Sequence, residues 1–112
     1  MPSSLRACID SALAGTTGAS LTRNVERLID SYRSGETPLT PVLASQDDVL
    51  AYAAYRMPAT YAVVHAALQR LHTAVPELQP LTLVDFGAGT GAATWAATVV
   101  WPGIEKATLL EQ

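Results

Sequence analysis

The residues with chemistry to offer cluster in LVDFGAGTGAATWAA, residues 83–97. An apolar stretch of strand character meets Asp85, runs through Gly87, Gly89 and Gly91, and passes straight into an alanine-rich stretch of helix character. A strand that turns at once into a helix leaves backbone N–H groups pointing outward at the helix N-terminus. With the positive end of the helix dipole they favour an anionic or electron-rich ligand group. Glycine suits such a turn because a side chain would hold the ligand away and because the backbone there is free to take positive φ. An acid at the end of the next strand would accept hydrogen bonds from ribose hydroxyls. Glu111 stands there, 111 − 91 = 20 residues after Gly91, close to the spacing of a nucleotide-type fingerprint. Taken alone, Glu111 also reads as an ordinary charged residue after a strand.

Two cofactors compete for this arrangement. G-A-G-T-G-A satisfies the dinucleotide pattern G-x-G-x-x-[GA], so NAD and an oxidoreductase are one reading. The deciding residue is Asp85, two before Gly87. A carboxylate at that point would face a dinucleotide's pyrophosphate, whereas the α-ammonium group of an amino-acid-bearing cofactor welcomes it. V-D-F-G-A-G-T-G thus resembles the first motif of the class I S-adenosylmethionine-dependent methyltransferases. The resemblance implies that Asp85 lies near the methionine end of S-adenosyl-L-methionine, that Gly87, Gly89 and Gly91 shape the turn, and that Glu111 holds the ribose. A purely structural strand-to-helix turn is the plain alternative.

The elements that must position these residues follow from pattern. LTLVDF reads as a short buried strand, AATWAATVVW as a helix and KATLLEQ as a second strand, and the crossover requires the strands to be parallel. Ahead of them the chain is helical. Leu5, Cys8, Ile9, Ala12 and Leu13 form one apolar face, closed by Gly15 and Gly18, with Cys8 expected as a buried small hydrophobe. Ser20 is expected to cap a second helix with Leu21, Val25, Leu28, Ile29 and Tyr32 inward, ended by Gly35. Its other face carries Arg23, Glu26, Arg27, Asp30 and Arg33, a mixed-sign pattern that reads as a solvated surface over an RNA-binding stripe. Pro38 and Pro41 predict a loop, Ser45 with Asp48 a cap, and Met57-Pro58 a bend between two further helices. The last helix places Tyr61, Val64, Leu68, Leu71 and Val75 on one stripe, flanked by His65 and His72, which read as boundary residues and not a metal pair. The predicted fold class is α/β: a helical N-terminal leader, residues 1–78, followed over residues 79–112 by the first β-α-β unit of a Rossmann-like, S-adenosylmethionine-binding domain.

Composition bounds the partners. With 112 residues, 49% hydrophobic and 15% charged, the chain suits one small folded domain. A net charge of −3 argues against a broad basic face for nucleic acid. The single cysteine excludes an intrachain disulfide and a thiolate metal site, and a reducing, cytoplasmic compartment is the expectation. No run of about eighteen apolar residues occurs, so no membrane partner is expected.

A narrower resemblance comes from the leader. Tyr52, Tyr55, Arg56, Pro58 and Tyr61 spell Tyr-x-x-Tyr-Arg-x-Pro-x-x-Tyr ahead of the glycine turn. Residues 21–111 are similar to the methyltransferase-like proteins associated with the mitochondrial small ribosomal subunit and to their bacterial relatives. The resemblance implies a methyl-transfer fold acting on, or beside, small-subunit ribosomal RNA or a ribosomal protein, either as an enzyme or as a non-catalytic assembly module. Tyr52, Tyr55 and Arg56 span about one helical turn and read either as a stackable polar edge over a cofactor or as a packing seam, so Tyr52 and Arg56 join the cofactor candidates. No catalytic residue carries over, because the family's later motifs are absent from these residues. The chain is therefore expected to be the N-terminal piece of a larger protein, inactive by itself, with an open sheet edge that invites self-association.

Overall fold

The computed structural model describes residues 1–35 and 45–111, except the side chains of Tyr32 and Asp48. The loop expected at Pro38 and Pro41 and the Asp48 part of the expected cap lie outside the described residues. In chain order the elements are α1 (Ser3–Leu13), α2 (Gly18–Ser34), α3 (Gln46–Tyr55), α4 (Met57–Ala74), β1 (Thr82–Phe86), α5 (Ala92–Val100) and β2 (Lys106–Leu110). They form two compact units, Met1–Met57 and Pro58–Gln112.

In the first unit α1 and α2 each pack against α3. Leu28 of α2, Leu5 of α1 and Ala51 of α3 are buried. The charged residues Arg23, Glu26, Arg27, Asp30 and Arg33 are exposed and Leu28 is buried, so the amphipathic reading of α2 holds, apart from the inward place expected of Tyr32, which lies outside the described side chains. Two details differ from expectation. Cys8 is exposed, not buried. Leu5, Ile9 and Leu13 run i, i+4, i+8 and drift to one side of the helix, and Cys8 falls on the other side of Leu5. The α2 cap is Thr17, not Ser20. The Ser20 backbone N–H donates to Thr17 Oγ1 at 3.3 Å, and Gly18 opens the helix instead of closing the one before. Ser20 is thus the donor in the cap, three residues on, as the geometry of a threonine N-cap requires. Gly35, at φ 65°, ends α2 as expected. Thr17→Ala should cost about 1 kcal/mol in urea denaturation and Ser20→Ala much less; equal losses would sink this cap assignment.

The second unit takes in α4 from Pro58 onward, and Pro58 stands in the first turn of that helix, after the break at Arg56. Its inward stripe is Tyr61, Val64, His65, Leu68 and His72, with Val75 half-buried just past its end, while Leu71 is 41% exposed. The histidines therefore lie within the stripe and Leu71 outside it. Three turns of 3.6 residues return from Tyr61 to the position 72 − 61 = 11 residues on, which is His72. His65 stacks on Tyr61 with ring centroids 5.5 Å apart, and His72 meets Trp101 edge to face at 6.1 Å.

β1 and β2 pair in parallel in a two-stranded sheet, from Thr82 opposite Lys106 to Phe86 opposite Leu110. The crossover between them is α5, which packs against β1 through a face where Ala92, Ala96 and Ala97 are buried. The observed class is mixed α/β with a small parallel sheet. β1 is not the buried strand that its apolar run predicts. Leu83 and Asp85 are half-buried, but Val84 is 53% and Phe86 78% exposed. α5 covers one side of the strand, and alternation puts Thr82, Val84 and Phe86 on the other. No helix among the described residues is long and apolar enough to cross a membrane.

Candidate functional site

The site is built where β1 runs out. Between Phe86 and Ala92 the chain turns through Gly87, Gly89 and Gly91 at φ 67°, 54° and 77°, each in the left-handed region that glycine occupies at little cost. The turn is tied to the end of the neighbouring strand: the Gly87 and Ala88 N–H groups both donate to the Leu110 carbonyl, at 2.8 and 3.2 Å. Gly91 is the N-cap of α5, and its carbonyl accepts the first helical bond from Trp95 N–H at 2.9 Å. A Cβ on Gly91 would stand 3.4 Å from Leu109 Cδ2 and 3.9 Å from Trp95 Cδ1, so helix and strand approach closely there. A Cβ on Gly87 would meet nothing within 4 Å, which leaves open space beside the turn.

Both acids singled out in the sequence belong to this place. Asp85 is half-buried near the end of β1, and its Oδ2 accepts a hydrogen bond from Thr94 Oγ1 at 2.8 Å. Glu111 follows β2, and its Oε2 accepts from the Gly89 N–H at 2.5 Å. The fold thus gathers Asp85, Gly87, Gly89, Gly91 and Glu111 at the carboxyl ends of two parallel strands, where open α/β sheets bind ligands. The Gly89 N–H, which donates to a carboxylate here, is a donor suited to an anionic or electron-rich group. Tyr52, on α3, is half-buried and Arg56, in the turn after it, is exposed; both lie in the Met1–Met57 unit, whereas the turn lies in the other. The bend itself is closed by Arg56 N–H donating to the Tyr52 carbonyl at 2.8 Å.

Sequence reasoning passed over Thr94. Its signal was there: it is the first hydroxyl-bearing residue of α5, two places after the helix begins and preceded there only by alanines. His65 and His72 pack against different rings, and among the described residues no group of three or more His, Cys, Asp or Glu could hold a metal. An open depression of about 460 Å³ lined by Ala66, Gln69, Arg70, Thr73 and Ala74 includes no residue of the turn.

Residues 46–112 match the family described as mitochondrial small ribosomal subunit Rsm22. The chain belongs to this family. The matched stretch begins with the first residue of α3 and takes in both features that carried the resemblance, the Tyr52–Tyr61 signature and the glycine turn with Glu111. The Rsm22 match is narrower than the 21–111 read from sequence, and α1 and α2 lie outside it. Over 52 residues the chain is 44% identical to the human ribosome assembly protein METTL17, mitochondrial, a stretch that is 46% of this chain and 11% of that protein. The chain therefore spans a small part of that relative. These names overturn the cytoplasmic expectation, since the Rsm22 family and the human protein are both described as mitochondrial. One cysteine excludes a disulfide within these 112 residues, which does not tell one compartment from another.

Proposed function

We propose that this chain supplies the S-adenosylmethionine-binding turn of a methyltransferase-like protein that works in the assembly of a small ribosomal subunit. The observation that carries the reading is the Asp85 carboxylate, half-buried and fixed two residues before an open glycine turn. A carboxylate there complements an α-ammonium group and opposes a pyrophosphate. The residues fit the cofactor: the turn offers backbone donors, Gly87 leaves space beside them, and Glu111 brings a second acceptor within reach of Gly89. When bound, S-adenosylmethionine brings its own electrophilic methyl group. The work left to the chain is positioning, with Asp85 holding the amino-acid end and Glu111 exchanging Gly89 for ribose hydroxyls. Ribosomal RNA of the small subunit, or one of its proteins, is the partner of the whole protein in this reading.

A second reading keeps the fold without turnover, as an assembly module, and the name of the human relative favours it, since that protein is called a ribosome assembly protein. Neither the family nor the relative supports a dinucleotide oxidoreductase. Amide NMR titration with S-adenosylhomocysteine, and with NAD as control, tests the cofactor reading. The expected result is saturable shifts of Gly87, Gly89 and Gly91 with the first ligand only, weakened roughly tenfold or more by Gly89→Ala. Shifts with NAD, or a Gly89→Ala variant that binds as well as the parent, would refute it. Binding without any methyl transfer by the whole protein would select the assembly module.

A further inference from the structure

We propose that Thr94 is a positioning residue for this site, holding the Asp85 carboxylate so that it selects ligands with an α-ammonium group. The inference rests on the cofactor reading above and adds a residue to it. Asp85 belongs to β1 and Thr94 to the first turn of α5, nine residues later, and the hydroxyl donates to Asp85 Oδ2 at 2.8 Å in a part-buried setting. A hydroxyl bonded to a carboxylate is a charge-assisted pair, shorter and stronger than a neutral one. It ties up one carboxylate oxygen and fixes the side-chain torsions, while the other oxygen stays available to a second donor. The alanines around Thr94 have no polar group that could replace it: Ala92, Ala93, Ala96 and Ala97 offer none. Without the hydroxyl, Asp85 would lose the side-chain donor that holds Oδ2 at the end of the strand. A ligand's ammonium group would then have to fix a mobile carboxylate, and the affinity gained from that end of the ligand would fall.

The loss should be confined to ligands that carry the amino-acid end. S-adenosylhomocysteine has it, and methylthioadenosine keeps the nucleoside and sulfur without it. Binding of both is measured by isothermal titration to the parent chain, Thr94→Val and Thr94→Ser, with an amide spectrum to confirm that each variant is folded. Valine keeps the shape of threonine and cannot donate; serine keeps the hydroxyl. The expected result is S-adenosylhomocysteine weakened about five- to tenfold by Thr94→Val and within about twofold by Thr94→Ser, with methylthioadenosine changed less than about twofold by either. Equal losses of both ligands in Thr94→Val would reduce Thr94 to a helix–strand tie and overturn the inference while leaving the cofactor reading intact. No loss of either ligand overturns it too. A parent chain that binds neither ligand overturns the cofactor reading and the role of Thr94 together.

Discussion

Replacing Trp101 with alanine should remove about 3–5 kcal/mol of stability, the largest loss expected of any single change in the Pro58–Gln112 unit. Trp101 follows the last residue of α5, is 5% exposed, and meets His72 of α4 at a ring distance of 6.1 Å. Its backbone closes both the end of the helix and the turn toward β2: the N–H donates to the Ala97 carbonyl at 2.8 Å, and the carbonyl accepts from Ile104 N–H at 3.1 Å. Alanine keeps those backbone bonds, empties the space of an indole and removes an indole N–H that has no hydrogen-bond partner among the described residues, so the loss reads packing with no side-chain hydrogen bond to add to it. Trp95, on the same helix and 40% exposed, is the internal control; Trp95→Ala should cost well under half as much. Urea denaturation followed by far-ultraviolet circular dichroism reads both variants without depending on either fluorophore. Equal losses would show that Trp101 is not the centre of this unit. The stakes are high because a domain's whole stability is about 5–15 kcal/mol.

Gly91→Val should cost about 3 kcal/mol, for two separable reasons. The residue sits at φ 77°, where a β-branched side chain is strained. Its Cβ would also stand 3.4 Å from Leu109 Cδ2, and the valine methyl groups would project further into that close approach of α5 and β2. Gly87→Val separates the two terms. It shares the left-handed backbone at φ 67° but would meet nothing within 4 Å, so it should lose only the backbone part, about 1–2 kcal/mol. If urea denaturation gives the two variants the same loss, the close helix–strand approach at Gly91 contributes nothing and only conformation matters.

Much of the site was legible because local conformation writes itself in residue type. A turn needing positive φ at alternate positions calls for Gly87, Gly89 and Gly91, and all three adopt it. A crossover helix between two apolar runs obliges the strands to be parallel, and β1 and β2 are. The break between α3 and α4 falls at Arg56, two residues before Pro58, and Gly35 ends α2. Family membership was legible for the same reason, since the Tyr52–Tyr61 signature and the turn are contiguous runs of unusual residues within the matched stretch.

Other features depend on which surfaces meet, and residue type alone left those open. By residue type Ser20 is at least as good a cap as Thr17, and only the position of the backbone N–H decides that Thr17 accepts and Ser20 donates. Cys8, apolar and at helical spacing, is exposed because α1 buries a stripe that drifts away from it. His72 displaces Leu71 from the inward stripe of α4, where it meets Trp101. The apolar run of β1 suggests burial on both faces, yet burial requires a second layer, and the Val84–Phe86 side is exposed. The two bonds that define the site, Thr94 to Asp85 across nine residues and Gly89 to Glu111 across twenty-two, join groups on different elements. Sequence by itself determined the backbone of this site, because φ preference and helix or strand periodicity are properties of neighbouring residues. Tertiary structure decided which acid holds which donor, because a hydrogen bond between elements exists only once register and close packing bring its two ends within about 3 Å.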